Sequence, residues 1–327
     1  MKIFSKLLIL IIIVSCSKSN KNEFWIYTSL YKDTIKDLSP ILHKKFPNIT
    51  FKWYQAGSED ISTKVNAEIL TDNIKANLLM SADRFWYHEL GNLEKLLPYK
   101  SSYATKVPKE YIDLNFNYIN VSFPIMVMAY NSELTKSPPK SFKDLAKQKW
   151  KNKITSGSPL SSGTNFTTMA MLQNSYGWDY IKKLKSNNII SQGGNSSVIR
   201  RLQNGQRAVG WVLLENLLRI VKKDKRIKII YPEDGVIMQT NIMAIPKQSS
   251  NIELSKKIYD WFFSDQAQKI IVKSHMYPIF NHIKGPIPEK PLKYFLDNSF
   301  AWDKFTVEKI SNSRMEIKEK YTEIMFK

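Results

Sequence analysis

Residues 24–98 alternate three times between a short apolar segment and an amphipathic segment, and this alternation restricts the fold more than any other feature of the chain. Apolar residues at 24–29, 49–53 and 76–80 are typical of strands, whereas those within 35–46, 57–69 and 85–97 recur at helical spacing. Strands joined through helices form a parallel sheet with helices on its faces. The sequence therefore predicts an α/β fold.

Small polar residues follow each of these three predicted strands. Thr28 and Ser29 end the first, Ser58 follows the second, and Ser81 and Asp83 follow the third. Ligands of such sheets bind at the carboxyl ends of the strands, so these residues are candidates for one wall of a binding cleft. Asp83 has an alternative role as the cap of the next helix.

A second candidate binding segment is formed by Ser161, Ser162, Gly163 and Thr164, which precede a helical pattern at 169–176. The start of a helix presents unpaired N–H groups and the positive end of the helix dipole, and the hydroxyls add further donors. This segment could therefore hold an anionic group. The alternative is an ordinary helix cap made of small polar residues.

The second half of the chain predicts another α/β unit inserted into the first. Apolar segments at 121–130, 154, 189–190, 208–213 and 227–231 alternate with helical patterns, and residues 236–245 are extended. We also expect a helix ending at Trp150 and a helix stop at Gly177. The sequence predicts lobe 1 at 23–120 and 240–290 and lobe 2 at 121–239, with hinge crossings near 117–124 and 236–242. It also predicts a helical segment at 291–327, with a last helix near 307–324. The sequence assigns this segment to neither lobe.

The first residues indicate export. Lys2 and Lys6 precede an apolar run at 7–14 that is too short to span a membrane, as in a signal peptide covering 1–15. Cys16 is the only cysteine, and its surroundings resemble a bacterial lipobox. We expect cleavage before Cys16, lipid attachment there, a tether at 16–22, and a membrane-anchored lipoprotein in the periplasm or on the cell surface. The alternative is a plain secretion signal.

The formal charge of +20 does not by itself indicate a nucleic-acid partner. Lysines outnumber arginines 42 to seven and are scattered through nearly every segment, whereas nucleic-acid recognition usually needs clustered arginine with stacking aromatics. The four histidines are not spaced as metal ligands. We therefore expect no nucleic-acid partner, no metal site and no cofactor.

Several segments together resemble a known family. They are Trp25 to Ser29, Ser161 to Thr164, Gly205 to Gly210, Tyr231 to Gly235 and Trp261 to Gln268. In this order they resemble extracellular solute-binding proteins of ABC importers, most of all the branch that binds ferric iron, phosphonates and sugar phosphates. The resemblance implies a type II periplasmic-binding-protein fold, with two α/β lobes, a two-crossing hinge and a cleft between them. It also implies a monomer that delivers its solute to an ABC permease and has no catalytic residues.

The same resemblance restricts the ligand. Iron-binding members carry adjacent tyrosines after the strand that is 208–213 here, where this chain has Leu214, Glu215 and Asn216. The hydroxyls favour a small anionic solute, namely an organophosphate, phosphonate or sugar phosphate, with Glu215 and Glu233 accepting hydrogen bonds from its hydroxyl or amine groups. The alternative for both glutamates is a solvated or capping carboxylate. Three other functions stay open: iron binding, phosphate-ester hydrolysis with Glu215 as acid–base group, and an adhesin with a vestigial cleft.

Overall fold

A computed structural model of the protein describes residues 22–327. The predicted signal peptide, the lipid-attachment residue Cys16 and the predicted tether up to residue 21 lie outside the described residues. Within 22–327, no helix is both long enough and apolar enough to cross a bilayer.

Twelve strands and eleven α-helices are assigned in this part of the chain. The strands are β1 (Glu23–Thr28), β2 (Thr50–Gln55), β3 (Leu78–Ser81), β4 (Ile119–Phe123), β5 (Ile125–Asn131), β6 (Ile154–Ser156), β7 (Ile190–Ser191), β8 (Val209–Leu213), β9 (Ile227–Ile230), β10 (Ile237–Met238), β11 (Asn241–Ala244) and β12 (Tyr277–Pro278). The helices are α1 (Lys32–Lys45), α2 (Ser58–Leu70), α3 (Arg84–Asn92), α4 (Gly163–Ser186), α5 (Asn195–Gln203), α6 (Leu214–Leu218), α7 (Ile252–Trp261), α8 (Asp265–Lys273), α9 (Leu292–Asp297), α10 (Lys304–Asn312) and α11 (Arg314–Phe326).

The strands form two sheets, and we call the parts built on them lobe 1 and lobe 2. The lobe 1 sheet has the order β2-β1-β3-β11-β4-β12, with β1, β2 and β3 parallel as the alternating pattern predicts. The lobe 2 sheet has the order β10-β5-β8-β6-β7, with β9 also paired to β5. The α/β fold with two lobes is therefore confirmed.

Two chain passages connect the lobes. Pro124 separates β4 in lobe 1 from β5 in lobe 2, because proline has no N–H to donate to a strand ladder. The chain returns between β10 and β11, where the Gln239 N–H donates to the Pro124 carbonyl at 2.8 Å. The two passages thus lie side by side as a hinge, and the predicted boundary at residue 121 falls inside β4 of lobe 1.

The C-terminal helices, which the sequence assigns to neither lobe, contact both. Ser311 of α10 donates to the Phe85 carbonyl in lobe 1 at 3.0 Å. Tyr321 of α11 donates to Ser191 in lobe 2 at 2.7 Å, and Lys185 of lobe 2 donates to the Met325 carbonyl. The predicted single helix at 307–324 is wrong, since α10 ends at Asn312 and α11 begins at Arg314.

A further helix prediction differs from the structure. Residues up to Trp150 form two short 3-10 turns instead of one helix, although the Asp144 N–H does donate to Ser141 Oγ at 3.1 Å at the start of the first turn. The predicted helix stop at Gly177 is confirmed. Its φ of 75° and ψ of 175° are not helical and kink the chain within α4, so the helical residues before and after it form two pieces, because glycine adopts a positive φ without a Cβ clash.

Candidate functional site

A cavity of about 410 Å³ lies between the lobes. It is lined from lobe 1 by the residues after β1, the start of α2 and the residue after β3, and from lobe 2 by the starts of α4, α5 and α6. Pro124 of the first passage and Asn241 after the second also line it. The carboxyl ends of strands in both sheets therefore open on one cleft, as expected for α/β proteins.

Three helices point uncapped N-termini at this cleft. They are α2, α4 and α5, and their N-cap residues Gly57, Ser162 and Gly194 make no side-chain cap hydrogen bond. Of the other helices, α3, α7, α8 and α10 each have a side-chain cap, whereas α1, α6, α9 and α11 have none. The first N–H groups of the three cleft helices thus keep their hydrogen-bonding capacity for a bound group, and three positive dipole ends converge there.

Hydroxyl groups in the cleft accept hydrogen bonds from amide donors. Ser29 Oγ accepts from the Ala82 N–H at 3.2 Å, and Thr164 Oγ1 accepts from Asn195 Nδ2 at 3.2 Å. Ser162 Oγ accepts from Asn165 Nδ2 at 3.1 Å. Ser162 Oγ and Thr164 Oγ1 lie 3.2 Å apart and share one hydrogen bond, so one of these two O–H groups is used between them. Ser29 and the other member of the pair keep an O–H that can donate to a ligand oxygen.

Glu215 is the one acidic residue among the described residues that line the cleft, and its side chain is fully enclosed, with 1 % of the residue exposed. Burial raises the pKa of Glu215 to about 8, despite nearby N–H groups, Arg219 and the Tyr31 hydroxyl that favour the ionised form. At pH 7 this carboxyl is therefore mostly protonated. A cationic or hydroxyl group on a ligand would favour its ionised, accepting form.

Side chains from the two lobes meet across the cleft. The Tyr31 hydroxyl of lobe 1 donates to Asn216 Oδ1 of lobe 2 at 2.7 Å. Arg219 of lobe 2 pairs with Asp33, donates to the Ser274 carbonyl at 3.1 Å and lies 4.5 Å from the Tyr31 ring centroid. These contacts hold the lobes together on the side of the cleft formed by α1 and α6.

We expect Arg219→Ala to shift the protein toward an open arrangement. The ion pair is partly exposed, so its loss together with that of the cation–π contact costs roughly 1 kcal/mol, about a fivefold change in the ratio of closed to open forms. Small-angle scattering of the ligand-free variant should give a larger radius of gyration than the unmodified protein. An unchanged radius at low salt would show that Arg219 does not hold the lobes together.

The structure brings together six of the residues predicted from sequence. The cleft is lined by Ser29, Ser58, Ser161, Ser162, Thr164 and Glu215. Gly163 lies against lobe 1, where a Cβ would meet the Ala82 carbonyl and Ser58. Its lack of a side chain therefore allows the start of α4 to approach lobe 1 closely.

Four other predicted residues do not line the cleft. Thr28 is buried with its hydroxyl accepting from the Leu30 N–H at 3.1 Å, and Ser81 is within 3.1 Å of the Tyr87 hydroxyl. Asp83 accepts from the Trp86 N–H at 3.2 Å, which confirms its alternative role as a helix cap. Glu233 has a side chain 67 % exposed and pairs with Lys140 at 3.6 Å, so the solvated alternative describes it.

Sequence reasoning missed several polar residues that line the cleft. Tyr31 lies three residues after the end of β1, and Asn216 follows Glu215. The start of α5, with Gly194, Asn195 and Ser196, repeats the small polar composition of the Ser161 segment before another helix. That repetition is a signal in the sequence that could have identified α5 as the third helix at the site.

Comparison with known protein families gives one match that decides the family. Residues 73–304 match the profile described as "Bacterial extracellular solute-binding protein", and this span covers more than half of the chain. The chain belongs to this family. Its members bind small solutes outside the cytoplasm and deliver them to ABC permeases, so this protein is a substrate-binding protein of the ABC-transporter type.

Curated relatives of this solute-binding protein are distant. A protein of Salmonella typhi named "Putative 2-aminoethylphosphonate-binding periplasmic protein" is 23 % identical over 260 residues, which cover 74 % of this chain and 75 % of that protein. An uncharacterised protein of Haemophilus influenzae is 22 % identical over 275 residues, covering 80 % of this chain and 78 % of that one.

Solved structures share the fold of this solute-binding protein. The periplasmic binding protein AfuA from Actinobacillus pleuropneumoniae, with fructose-6-phosphate bound, has a TM-score of 0.81 at 20 % identity and covers 93 % of this chain and 98 % of that one. The ferric binding protein from Campylobacter jejuni has a TM-score of 0.78 at 21 % identity and covers 93 % and 100 %. At these identities the likeness establishes the type II periplasmic-binding-protein fold alone.

Proposed function

We propose that this protein captures a small solute carrying a phosphonate or phosphate group in its interlobe cleft and hands it unchanged to an ABC permease. The observation that carries the proposal is the convergence of three uncapped helix N-termini and the hydroxyls of Ser29, Ser162 and Thr164 on one cavity. A phosphonate group has three acceptor oxygens, whereas a carboxylate has two. A phosphonate can therefore accept hydrogen bonds from more of these neutral donors than a single carboxylate can.

Charge in the cleft supports the same proposal. Among the described residues that line it, none is Lys or Arg, so an anion there would be stabilised by helix dipoles and N–H groups. On the lobe 2 wall, Glu215 and the Oδ1 atom of Asn195, which is buried with no partner, are acceptors. They suit a hydroxyl or ammonium group at the other end of the solute.

The names of two similar proteins mention ligands that carry a phosphonate or phosphate group. The Salmonella protein is named for 2-aminoethylphosphonate, and the AfuA structure holds fructose-6-phosphate. Ferric iron is the second candidate, since ferric binding proteins share the fold. A ferric ion prefers several anionic oxygen ligands at once, whereas the cleft offers one carboxyl that burial keeps mostly protonated, together with the Tyr31 hydroxyl, whose pKa burial raises well above its usual value.

Isothermal titration calorimetry of the purified, ligand-stripped protein tests the proposal. We expect one equivalent of 2-aminoethylphosphonate or fructose 6-phosphate to bind, ferric citrate to give no heat, and the recovered solute to be chemically intact after prolonged incubation. Binding of ferric citrate without binding of any phosphorylated compound would overturn the assignment. Release of inorganic phosphate would instead show an enzyme.

A further inference from the structure

A buried ion-pair cluster lies behind the lobe 1 wall of the cleft. Arg314 Nη2 of α11 donates to Asp83 Oδ2 at 2.7 Å and to both carboxylate oxygens of Glu59 at 3.1 and 3.2 Å. Lys318 of α11 donates to Glu59 Oε2 at 2.7 Å. The Arg314 and Asp83 side chains are 9 % and 0 % exposed. Two cations and two carboxylates are thus held largely away from water.

Both carboxylates belong to segments that form the proposed anion site. Glu59 directly follows Ser58 at the start of α2, and Asp83 directly follows Ala82 at the start of α3. Ser58 and Ala82 line the cleft, and the Ala82 N–H fixes the Ser29 hydroxyl. The ion pairs of Arg314 therefore tie together the two lobe 1 segments whose donors face the ligand.

The cations of this cluster also reach lobe 2. The ring centroid of Phe166 lies 5.6 Å from Arg314 Cζ and 5.2 Å from Lys318 Nζ. Phe166 is in the first turn of α4, directly behind Ser162 and Thr164 of the cleft. The cluster is therefore located where the ligand-facing ends of α2, α3 and α4 meet.

Charge balance gives the cluster a consequence for anion binding. Two carboxylates at the starts of α2 and α3 oppose the positive dipole ends that would attract an oxyanion. Burial and Asp83 raise the pKa of Glu59, whereas Arg314 and Lys318 lower it. With both cations in place the four charges cancel, but without Arg314 one negative charge stays uncompensated beside the site.

We propose that Arg314 is a positioning residue of the anion site: it fixes the starts of α2 and α3 and cancels the carboxylate charge that would otherwise repel the ligand. The inference rests on the proposed function. Arg314 and Glu59 both lie outside residues 73–304, the part of the chain that matches the family profile. The role is therefore one that the family match does not assign.

The electrostatic role gives a pH signature that a purely structural role does not. The groups facing Glu59 and Arg314 are Lys318 on α11 and Asp83, Tyr87 and Glu89 around α3, while α4 contributes the non-titrating Phe166. In an Arg314 variant, Glu59 would be protonated as the pH falls, which removes the repulsion. The ligand's own phosphonate also loses negative charge as the pH falls, which weakens the same repulsion. Recovery of affinity at pH 8.0 by Glu59→Gln in the Arg314 variant, at constant ligand charge, therefore assigns the effect to the cluster.

The experiment measures binding of 2-aminoethylphosphonate by calorimetry at pH 8.0 and pH 5.5. We expect Arg314→Met to bind at least about tenfold more weakly than the unmodified protein at pH 8.0, the scale of a unit charge roughly 10 Å away at an effective dielectric constant of about 20. At pH 5.5 the two should agree within about threefold. Arg314→Lys and the double variant R314M/E59Q should each recover most of the loss at pH 8.0.

Controls separate the possible outcomes. Arg226→Met removes an exposed arginine of lobe 2 that pairs with Asp224, and it should leave the affinity unchanged at both pH values. If Arg314→Met does not fold, Glu59→Gln alone should tighten binding at pH 8.0, and unchanged or weaker binding overturns the inference. An equal loss at both pH values without recovery by E59Q also overturns it. No binding by the unmodified protein overturns the proposed function, and this inference with it.

Discussion

Replacing Gly163 by alanine should weaken solute binding about a hundredfold, because the added methyl group prevents the lobes from closing. A Cβ at Gly163 would overlap the Ala82 carbonyl oxygen and lie 2.7 Å from Ser58 Oγ and 3.0 Å from Ser58 Cβ. Ala82 and Ser58 belong to lobe 1 and Gly163 to lobe 2, so the overlap is relieved by separating the lobes. Overpacking of this kind costs about 1 to 3 kcal/mol, and the upper end corresponds to the expected loss of affinity.

The measurement is calorimetric titration with 2-aminoethylphosphonate, together with scattering of the ligand-saturated protein. We expect the variant to keep a larger radius of gyration than the unmodified protein when saturated. Gly177→Ala in the same helix is the matched control. Its methyl group meets nothing within 4 Å, but its φ of 75° strains an alanine, so its melting temperature should fall while its affinity stays the same. Normal affinity of Gly163→Ala would mean that α4 does not set the closed distance.

Glu215 should make the ligand-free protein less stable as the pH rises from about 5 to about 8. The pKa of this carboxyl is about 8 in the folded protein because of burial, against an ordinary value near 4.5. Between these two pKa values the folded state therefore holds a proton that the unfolded state has released. The contribution of Glu215 to the free energy of unfolding is thus largest at low pH and falls as the pH rises from about 5 to about 8. Linkage gives a loss on the order of 4 kcal/mol.

Urea denaturation of Glu215→Gln at several pH values measures this effect. Since glutamine does not ionise, the free energy of unfolding of the variant minus that of the unmodified protein should increase from pH 5 to pH 8. Glu233→Gln is the control, because its side chain is 67 % exposed on the surface, and its difference should not change with pH. Parallel pH curves for the unmodified protein and Glu215→Gln would contradict a buried, proton-holding carboxyl.

The same substitution tests the role proposed for Glu215 in binding. If the carboxyl meets an ammonium group, 2-aminoethylphosphonate should bind the unmodified protein more tightly than ethylphosphonate does and should release a proton on binding near pH 7. That release is visible as a dependence of the binding heat on the buffer. Glu215→Gln should remove both the preference and the proton release. A preference that survives in the variant would place the amine elsewhere in the cleft.

Local patterns account for much of the architecture. The alternation at residues 24–98 is enough for three parallel strands, since strand and helix periods differ and short helical connections impose a parallel order. Pro124 indicates where the chain first passes from one sheet to the other, because a missing N–H interrupts a strand ladder. The polar ends of β1 and β3 and the start of α4 follow from the same reasoning, because polarity at a strand or helix end depends on adjacent residues.

The sequence by itself therefore determined the α/β fold, the two sheets and several of the strand-end and helix-start segments that border the cleft, but not the start of α5. Only the tertiary structure decided which side chains face the cavity. Thr28 and Ser81 turn to partners inside lobe 1 and Asp83 turns to Arg314 of α11, whereas Asn195 and Tyr31 line the site. Glu215 and Glu233 have the same chemistry, yet one is enclosed and the other solvated. The physical reason is that burial and ion pairing, such as that of Arg314 with Glu59 some 255 positions away, depend on neighbours that are distant in the sequence.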